Sequence, residues 1–235
     1  MKNDPFGKAA LDYLSGKKDN QILVKSDIAE DDFIPVNYLF RSFHQMPDIE
    51  QKALMLCKGR VLDIGAGVGS HALYLQNKGL AVDCIDTSIG CKQAALQRGV
   101  KNYVTSDFFE FESENKYDTL LLMMNGIGLA KTIDELPTFF AQVKKLLASG
   151  GQIILDSSDL RYLFMDEDSD IIPSDEEYYG EVSYSMSYED QKSDQFKWLF
   201  IDAALLSQEA YKNGFSFEKI ADGPHYDYLA RLQLL

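Results

Sequence analysis

The spacing of apolar positions changes near Gly59 and divides the chain in two. Up to Lys58, the residues Phe6, Ala10, Tyr13 and Leu14 recur at helical spacing, and Asp48 can cap a second helical stretch over 49–57 that Gly59 stops. This part reads as helices joined by loops. From Arg60 onward, short apolar runs alternate with longer amphipathic stretches, the pattern of βαβ units around a parallel sheet. Strands are expected at 61–64, 81–85, 102–105, 119–123 and 152–156, with helices at 70–78, 90–98 and 134–147. Gly150 and Gly151 are read as the end of the last helix.

After Asp156 the alternation breaks. An acidic run from Asp166 to Asp170, followed by Asp175, Glu176 and Glu177, reads as a solvated loop. Period-two stretches at 182–188 and 196–201 then predict an inserted β-hairpin. Tyr184, Met186 and Tyr188 lie opposite Phe196, Trp198 and Phe200 on it, and such an aromatic face must be covered. The core, a second subunit in a homodimer, or a ligand beneath a lid would each do so. Asp202 can cap a helix running to Lys212, and 215–220 and 228–234 read as two closing strands.

A chain of 235 residues that is 46% hydrophobic can bury one main core. The expected division is an N-terminal helical cap segment at 1–58 and a main domain at 59–235, with the insertion at about 157–201. The formal charge of −14 would repel a phosphate backbone, which disfavours nucleic acid as a partner. Cys57, Cys84 and Cys91 form neither an even framework nor a C-x-x-C pair, so neither disulfides nor a metal site is expected and a cytoplasmic location fits. No apolar run approaches the roughly 18 residues of a membrane span.

The segment Val61-Leu62-Asp63-Ile64-Gly65-Ala66-Gly67-Val68-Gly69-Ser70 carries the chemistry. An apolar strand runs into a glycine loop that opens a helix, so Gly65 and Gly67 can turn sharply beneath a ligand while Gly69 permits close packing. The helix N-terminus adds free amides for an anionic group. Glycines at 65, 67 and 69 give G-x-G-x-G, whereas the dinucleotide fingerprint is G-x-G-x-x-G and would need its third glycine at Ser70. Asp63, just before the loop, would repel phosphates and suits a cationic ligand.

This D-x-G-x-G-x-G after a hydrophobic strand resembles the first motif of class I, Rossmann-like, S-adenosylmethionine-dependent methyltransferases, and the resemblance covers roughly residues 60–156. It implies a three-layer α/β fold, whose mostly parallel seven-stranded sheet has an antiparallel last strand. It also implies S-adenosylmethionine as cofactor, with Asp63, Gly65, Ala66 and Gly67 at its methionine part and His71 at its border. Asp86 ends the second strand, at the spacing of about 20 residues past the first glycine where a carboxylate accepts from both ribose hydroxyls, and Thr87 follows it. Asp107 resembles the adenine-binding acid, with Phe108 beside it able to stack, and Asn125-Gly126 matches the loop between cofactor and acceptor. Upstream, Tyr38 and Arg41 resemble an N-terminal pair that closes over the cofactor, the arginine meeting its carboxylate.

Methyl transfer from a sulfonium is an in-line displacement, so positioning and exclusion of water matter more than a dedicated base. His44, His71 and His225 are the histidines, and none is assigned as a base; Asp156, Ser157, Ser158 and Asp159 follow the fifth strand and can line an acceptor site. Asn125 is followed by glycine rather than by the Pro-Pro of nucleic-acid amino methylases, and the chain has no Pro-Cys pair for attack on a pyrimidine carbon. A small-molecule or protein side-chain acceptor is the reading that remains. A cofactor-binding protein without turnover and an NAD(P)-dependent oxidoreductase are the alternatives.

Overall fold

The computed structural model describes residues 3–166, 169–170 and 178–235. Helix α1 (Pro5–Leu14) begins where the Asp4 side chain accepts from the Gly7 amide at 2.8 Å and proline occupies the first turn. Two strands follow where only loops were expected, β1 (Gln21–Ser26) and β2 (Asp32–Pro35). The expectation of helices and loops alone over 1–58 is corrected here. β2 pairs with β1, Ile22 opposite Ile34, and the other partner of β1 lies far along the chain, Leu23 pairing with Ser187 and Ser26 with Tyr184, so pairing rather than local periodicity makes them strands. Two 3₁₀ turns then lead to α2 (Asp48–Leu56), which starts after Pro47 with no side-chain cap.

The central units follow the expected order. They are β3 (Arg60–Ile64), α3 (Ser70–Asn77), β4 (Ala81–Asp86), α4 (Ile89–Arg98), β5 (Asn102–Thr105), β6 (Tyr117–Leu122), α5 (Leu136–Leu146) and β7 (Leu147–Ser158). Gly150 and Gly151 do not end the helix. The chain turns extended at Leu147, and both glycines fall inside β7, Gly150 with φ of 71°. The short pair β8 (Met165–Asp166) and β9 (Ser169–Asp170) comes next, while most of the predicted acidic loop lies outside the described residues. The remaining elements are β10 (Glu181–Tyr188), β11 (Gln191–Lys192), β12 (Phe196–Leu199), α6 (Ala203–Lys212), β13 (Phe215–Asp222) and β14 (Asp227–Leu234).

Seven strands form the main sheet in the order β13-β14-β7-β6-β3-β4-β5. It is parallel from β7 to β5, and β14 runs antiparallel to both of its neighbours. On one face, Phe139 and Phe140 of α5 and Leu206 of α6 pack over Leu62, Leu120 and Leu122; on the other, Ala53 and Leu54 of α2 and Ala72 and Leu75 of α3 cover Val61, Val82 and Leu121. Full burial of each large apolar side chain contributes roughly 1.5–3 kcal/mol. The result is the expected three-layer α/β architecture, with its parallel strand ends on one side.

A second, antiparallel sheet has the order β11-β10-β1-β2, with β12 also paired to β10. The predicted hairpin is present, and the chain's own N-terminus occupies the other side of β10. Met186 and Tyr188 pack with Ile22, Val36 and Phe6, and the Tyr188 hydroxyl donates to Asp12 at 3.0 Å. Helix α1 also docks on α4. A Cβ added at Gly90 would lie 2.5 Å from the Gly7 Cα, and Asp4 accepts from the Ser88 hydroxyl and the Gly90 amide.

Because backbone meets backbone at this crossing, Gly90→Ala should push α1 away and cost about 1–3 kcal/mol, read as a lower urea midpoint. Leu96→Ala, on the same helix but 44% exposed, should leave the midpoint nearly unchanged.

Candidate active site

The ends of β3, β4, β6 and β7 open onto one crevice, as parallel α/β sheets require of their ligand sites. Gly65 and Gly67 have φ of 71° and 52°, and a Cβ added at either would meet nothing within 4 Å. The loop therefore presents bare backbone to open space. Gly69 is constrained differently, since a Cβ there would lie 2.5 Å from the Val100 side chain. The loop amides, however, are not free: Gly65 and Ala66 donate to the Ile85 carbonyl at 2.9 and 3.1 Å, and Gly67 donates to Asp86 Oδ2 at 2.9 Å. The strand beside the loop thus already uses these three amides.

The open carboxylates are what the crevice offers. Asp63 is 1% exposed, accepts from the Ala72 amide, and leaves Oδ2 without any hydrogen-bond partner among the described residues. Burial pushes its carboxyl up to about 6, with His71 pulling it down and Asp86 adding to the rise. Asp86 accepts from the Ser88 and Gly67 amides, yet each carboxylate oxygen keeps a second lone pair. Burial raises it too, against those same amides. Thr87 is exposed beside it.

Asp107 is exposed and closes a local turn by accepting from the Phe109 amide at 2.8 Å. Phe108 departs from expectation. Its ring is 3% exposed and packs on Phe109 and Phe139, so the core has taken the side chain proposed for stacking.

Arg41 also departs from expectation. Its guanidinium holds both oxygens of Glu50, at 2.5 and 2.7 Å, rather than standing free for a ligand carboxylate, and it lies 3.5 Å over the Tyr38 ring. Glu50 in turn bonds His71 Nε2 at 2.9 Å, so the N-terminal segment is tied to the helix that follows the glycine loop. Burial pushes Glu50 up, but His71 and Arg41 more than offset it and hold the carboxyl below its ordinary value. His71 is raised in return, its burial outweighed by Glu50 and Asp63.

Beyond this network lies a cavity of about 230 Å³ lined by, among others, Tyr38, Glu50, Met124, Asp156, His225 and Asp227. Its floor is the loop after β6, where Met124 and Asn125 both adopt left-handed φ, of 64° and 59°. That conformation is held from three sides. Asn125 receives the Trp198 Nε1 donor on its carbonyl and donates to the Leu199 carbonyl, and Gly126 donates to Asp156 Oδ1 at 3.2 Å. Burial pushes Asp156 up to about 6, against the Asn125 and Gly126 amides.

Comparison with known proteins agrees with this geometry. The methyltransferase domain family matches residues 30–216. A crystal structure of an S-adenosylmethionine-dependent methyltransferase from Bacteroides fragilis, in complex with S-adenosyl-L-homocysteine, is similar at 43% identity and TM-score 0.92, covering 99% of this chain and 95% of that chain. This chain belongs to the S-adenosylmethionine-dependent methyltransferases. A curated relative from Geobacillus sp. (strain WCH70), carried under a methyltransferase name, is 26% identical over 136 residues, about half the length of each protein (54% of this chain, 53% of that one). A sugar N-methyltransferase from Streptoalloteichus sp. ATCC 53650, at 16% identity and TM-score 0.59 over 88% of this chain and 96% of that one, shares the fold alone.

The methyltransferase's cofactor is S-adenosylmethionine, and the residues present fit it: a glycine cradle open to ligand, an orphaned buried carboxylate oxygen suited to an ammonium, and a second acid, Asp86, at the end of the neighbouring strand. Nothing in the sequence marked Glu50, Met124 or Asp227 as part of the site. Glu50 sits on an amphipathic helix, where a carboxylate ordinarily reads as surface, and no local signal shows that it is buried at 3% exposure. Among the described residues no helix is long and apolar enough to cross a membrane.

Asp63 costs the ligand-free methyltransferase stability. Its folded carboxyl, at about 6, holds a proton that the unfolded carboxyl, near 3.8, has already lost, so stability falls as pH rises across that window. Asp63→Asn should therefore stabilise the ligand-free protein by about 3 kcal/mol near pH 7.5 and roughly half that near pH 5, measured by urea unfolding, while weakening cofactor binding. An equal gain at both pH values would refute the assignment.

Proposed function

We propose that this methyltransferase carries a methyl group from S-adenosylmethionine to a small-molecule acceptor in the cavity above Met124. The observation that carries the reading is the adjacency of the two spaces. The glycine cradle with Asp63 and Asp86 lies at the ends of β3 and β4, and the cavity lies at the ends of β6 and β7 in the same sheet. In this reading Asp63 takes the cofactor's ammonium, Gly65, Ala66 and Gly67 pass beneath its methionine part, and Asp86 with Thr87 takes the ribose hydroxyls. Asp107 and the Phe108 backbone stand at the adenine, and Asn125-Gly126 separates cofactor from acceptor. His71 and Arg41 act through Glu50, positioning the N-terminal segment with Tyr38 at the cavity wall.

A cavity volume of about 230 Å³ is below the ~300 Å³ from which drug-sized ligand pockets usually begin, which favours a small acceptor group over a macromolecular surface. The net charge of −14 further disfavours nucleic acid. Residues 1–58 and the hairpin together act as the acceptor enclosure, and Trp198 links that enclosure to the Asn125 loop. Left-handed φ at both Met124 and Asn125 is strain of the kind that gathers at functional sites.

Calorimetric titration tests the cofactor assignment directly. S-adenosyl-L-homocysteine should bind saturably, NADH should give no signal, and Asp86→Ala should weaken binding about 10- to 100-fold by removing charge-assisted hydrogen bonds of roughly 1.5–3 kcal/mol. Unchanged affinity in Asp86→Ala, with the variant folded, would remove Asp86 from the site.

A further inference from the structure

The cavity is more specific than its size. Three carboxylates line it, those of Glu50, Asp156 and Asp227, and among the described residues no lysine or arginine does. Within the protein, Glu50 is balanced by Arg41 and His71, and Asp227 accepts the His225 amide on Oδ1 at 2.9 Å. Asp156 is different. It is 7% exposed and receives only backbone amides, from Asn125 and Gly126, while among the described residues no side chain and no cation bonds its carboxyl. His71 acts on it through space without bonding it, and a buried carboxylate that no cation bonds is costly, one that proteins keep chiefly where a ligand or metal will pair with it. Among the described residues no group of side chains could hold a metal ion.

A neutral hydroxyl acceptor would leave the charge of Asp156 unbalanced, and a carboxylate acceptor would add a fourth negative group to the cavity. A cation satisfies it. The position is equally specific, because Asp156 Oδ1 holds the Gly126 amide of the loop that, in the proposed function, separates the cavity from the cofactor crevice. We propose that the cavity recognises a protonated primary or secondary amine, that Asp156 is the carboxylate pairing with its ammonium, and that this nitrogen receives the methyl group. The inference rests on the methyl-transfer reading above and adds the acceptor's chemical class.

The step balances without a further reactant. Asp156 takes one proton from the ammonium, which frees the nitrogen lone pair. That pair forms the new N–C bond as the methyl C–S bond breaks, and the bonding electrons stay on sulfur, which becomes a neutral thioether. The methylated nitrogen carries the positive charge, and the proton on Asp156 leaves to solvent. Among the lining groups Tyr38 is a poor alternative proton acceptor, since burial raises its hydroxyl above the ordinary value.

The test uses three ligands that share a six-membered ring, cyclohexylamine, cyclohexanol and cyclohexanecarboxylate, each titrated calorimetrically into full-length protein saturated with S-adenosyl-L-homocysteine. The amine should bind at least tenfold more tightly than the alcohol, and the carboxylate should not bind. Asp156→Asn should abolish that preference while binding S-adenosyl-L-homocysteine within about twofold of wild type. An alcohol or carboxylate that matches the amine, or a preference that survives in Asp156→Asn, overturns the proposal. The wild-type series decides the matter even if the variant does not fold, and absence of amine binding to cofactor-loaded protein also overturns it. Failure of wild type to bind S-adenosyl-L-homocysteine would instead remove the cofactor assignment beneath it.

Discussion

The ion network Arg41–Glu50–His71 is the constraint on which the arrangement of the site depends. Glu50 comes from α2 and Arg41 from the turn before it, whereas His71 belongs to the helix opened by the glycine loop. All three are at most 9% exposed, so taking them out of water is expensive, and the network offsets that cost only while it is complete. Loss of one partner would strand the others. The N-terminal segment is therefore fixed to the glycine loop rather than lying loosely over it, and Tyr38, stacked on Arg41, is carried to the cavity wall with it.

A second attachment works through shape. Gly7 and Gly90 let α1 and α4 cross backbone to backbone, and Asp4 bridges the crossing to Ser88, just beyond Asp86. The Ser70 hydroxyl donates to the Leu39 carbonyl, and Arg98 reaches the Val68 carbonyl. Helix α1 and the turns after it thus touch the same loops that face the cofactor crevice. The inserted hairpin pairs with β1 on one side and holds Asn125 through Trp198 on the other.

The central sheet was legible because its strands are buried on both faces and read as continuous apolar runs such as Val61-Leu62 and Leu120-Leu121-Leu122. The acids at strand ends were legible for a related reason: a polar residue that interrupts such a run must face a turn or a ligand. Asp156 was visible in this way, but its lack of a bonded counter-ion was not. β1 and β2 were hidden because β2 is mostly exposed and pairs with β1, whose other partner lies near the other end of the chain, Leu23 pairing with Ser187. Phe108 misled in the opposite direction, since an aromatic beside a strand-end acid looks available for stacking until packing on Phe139 claims it. Arg41 misled because its partner, Glu50, belongs to the next helix, whose buried face the sequence left ambiguous.

The direction of each buried carboxyl's proton affinity separates two kinds of acid in this site. Glu50 is held below its ordinary value because the protein itself supplies the cations that balance it. Asp63, Asp86 and Asp156 are all raised, because burial removes water and the protein returns only amides or a histidine that does not bond them. The first kind is complete in the folded chain and does architectural work. The second kind stores unfavourable electrostatic energy that a ligand of suitable charge or hydrogen-bonding capacity would release on binding. In the proposed function, Asp63 and Asp86 are relieved by the cofactor's ammonium and ribose hydroxyls. In the same reading the Asn125 loop stands between Asp156 and both, so the cofactor leaves it unbalanced, and its relief falls to the acceptor. Two ligands are then drawn to opposite sides of one loop by separate charges, which is the positioning that an in-line transfer between them requires.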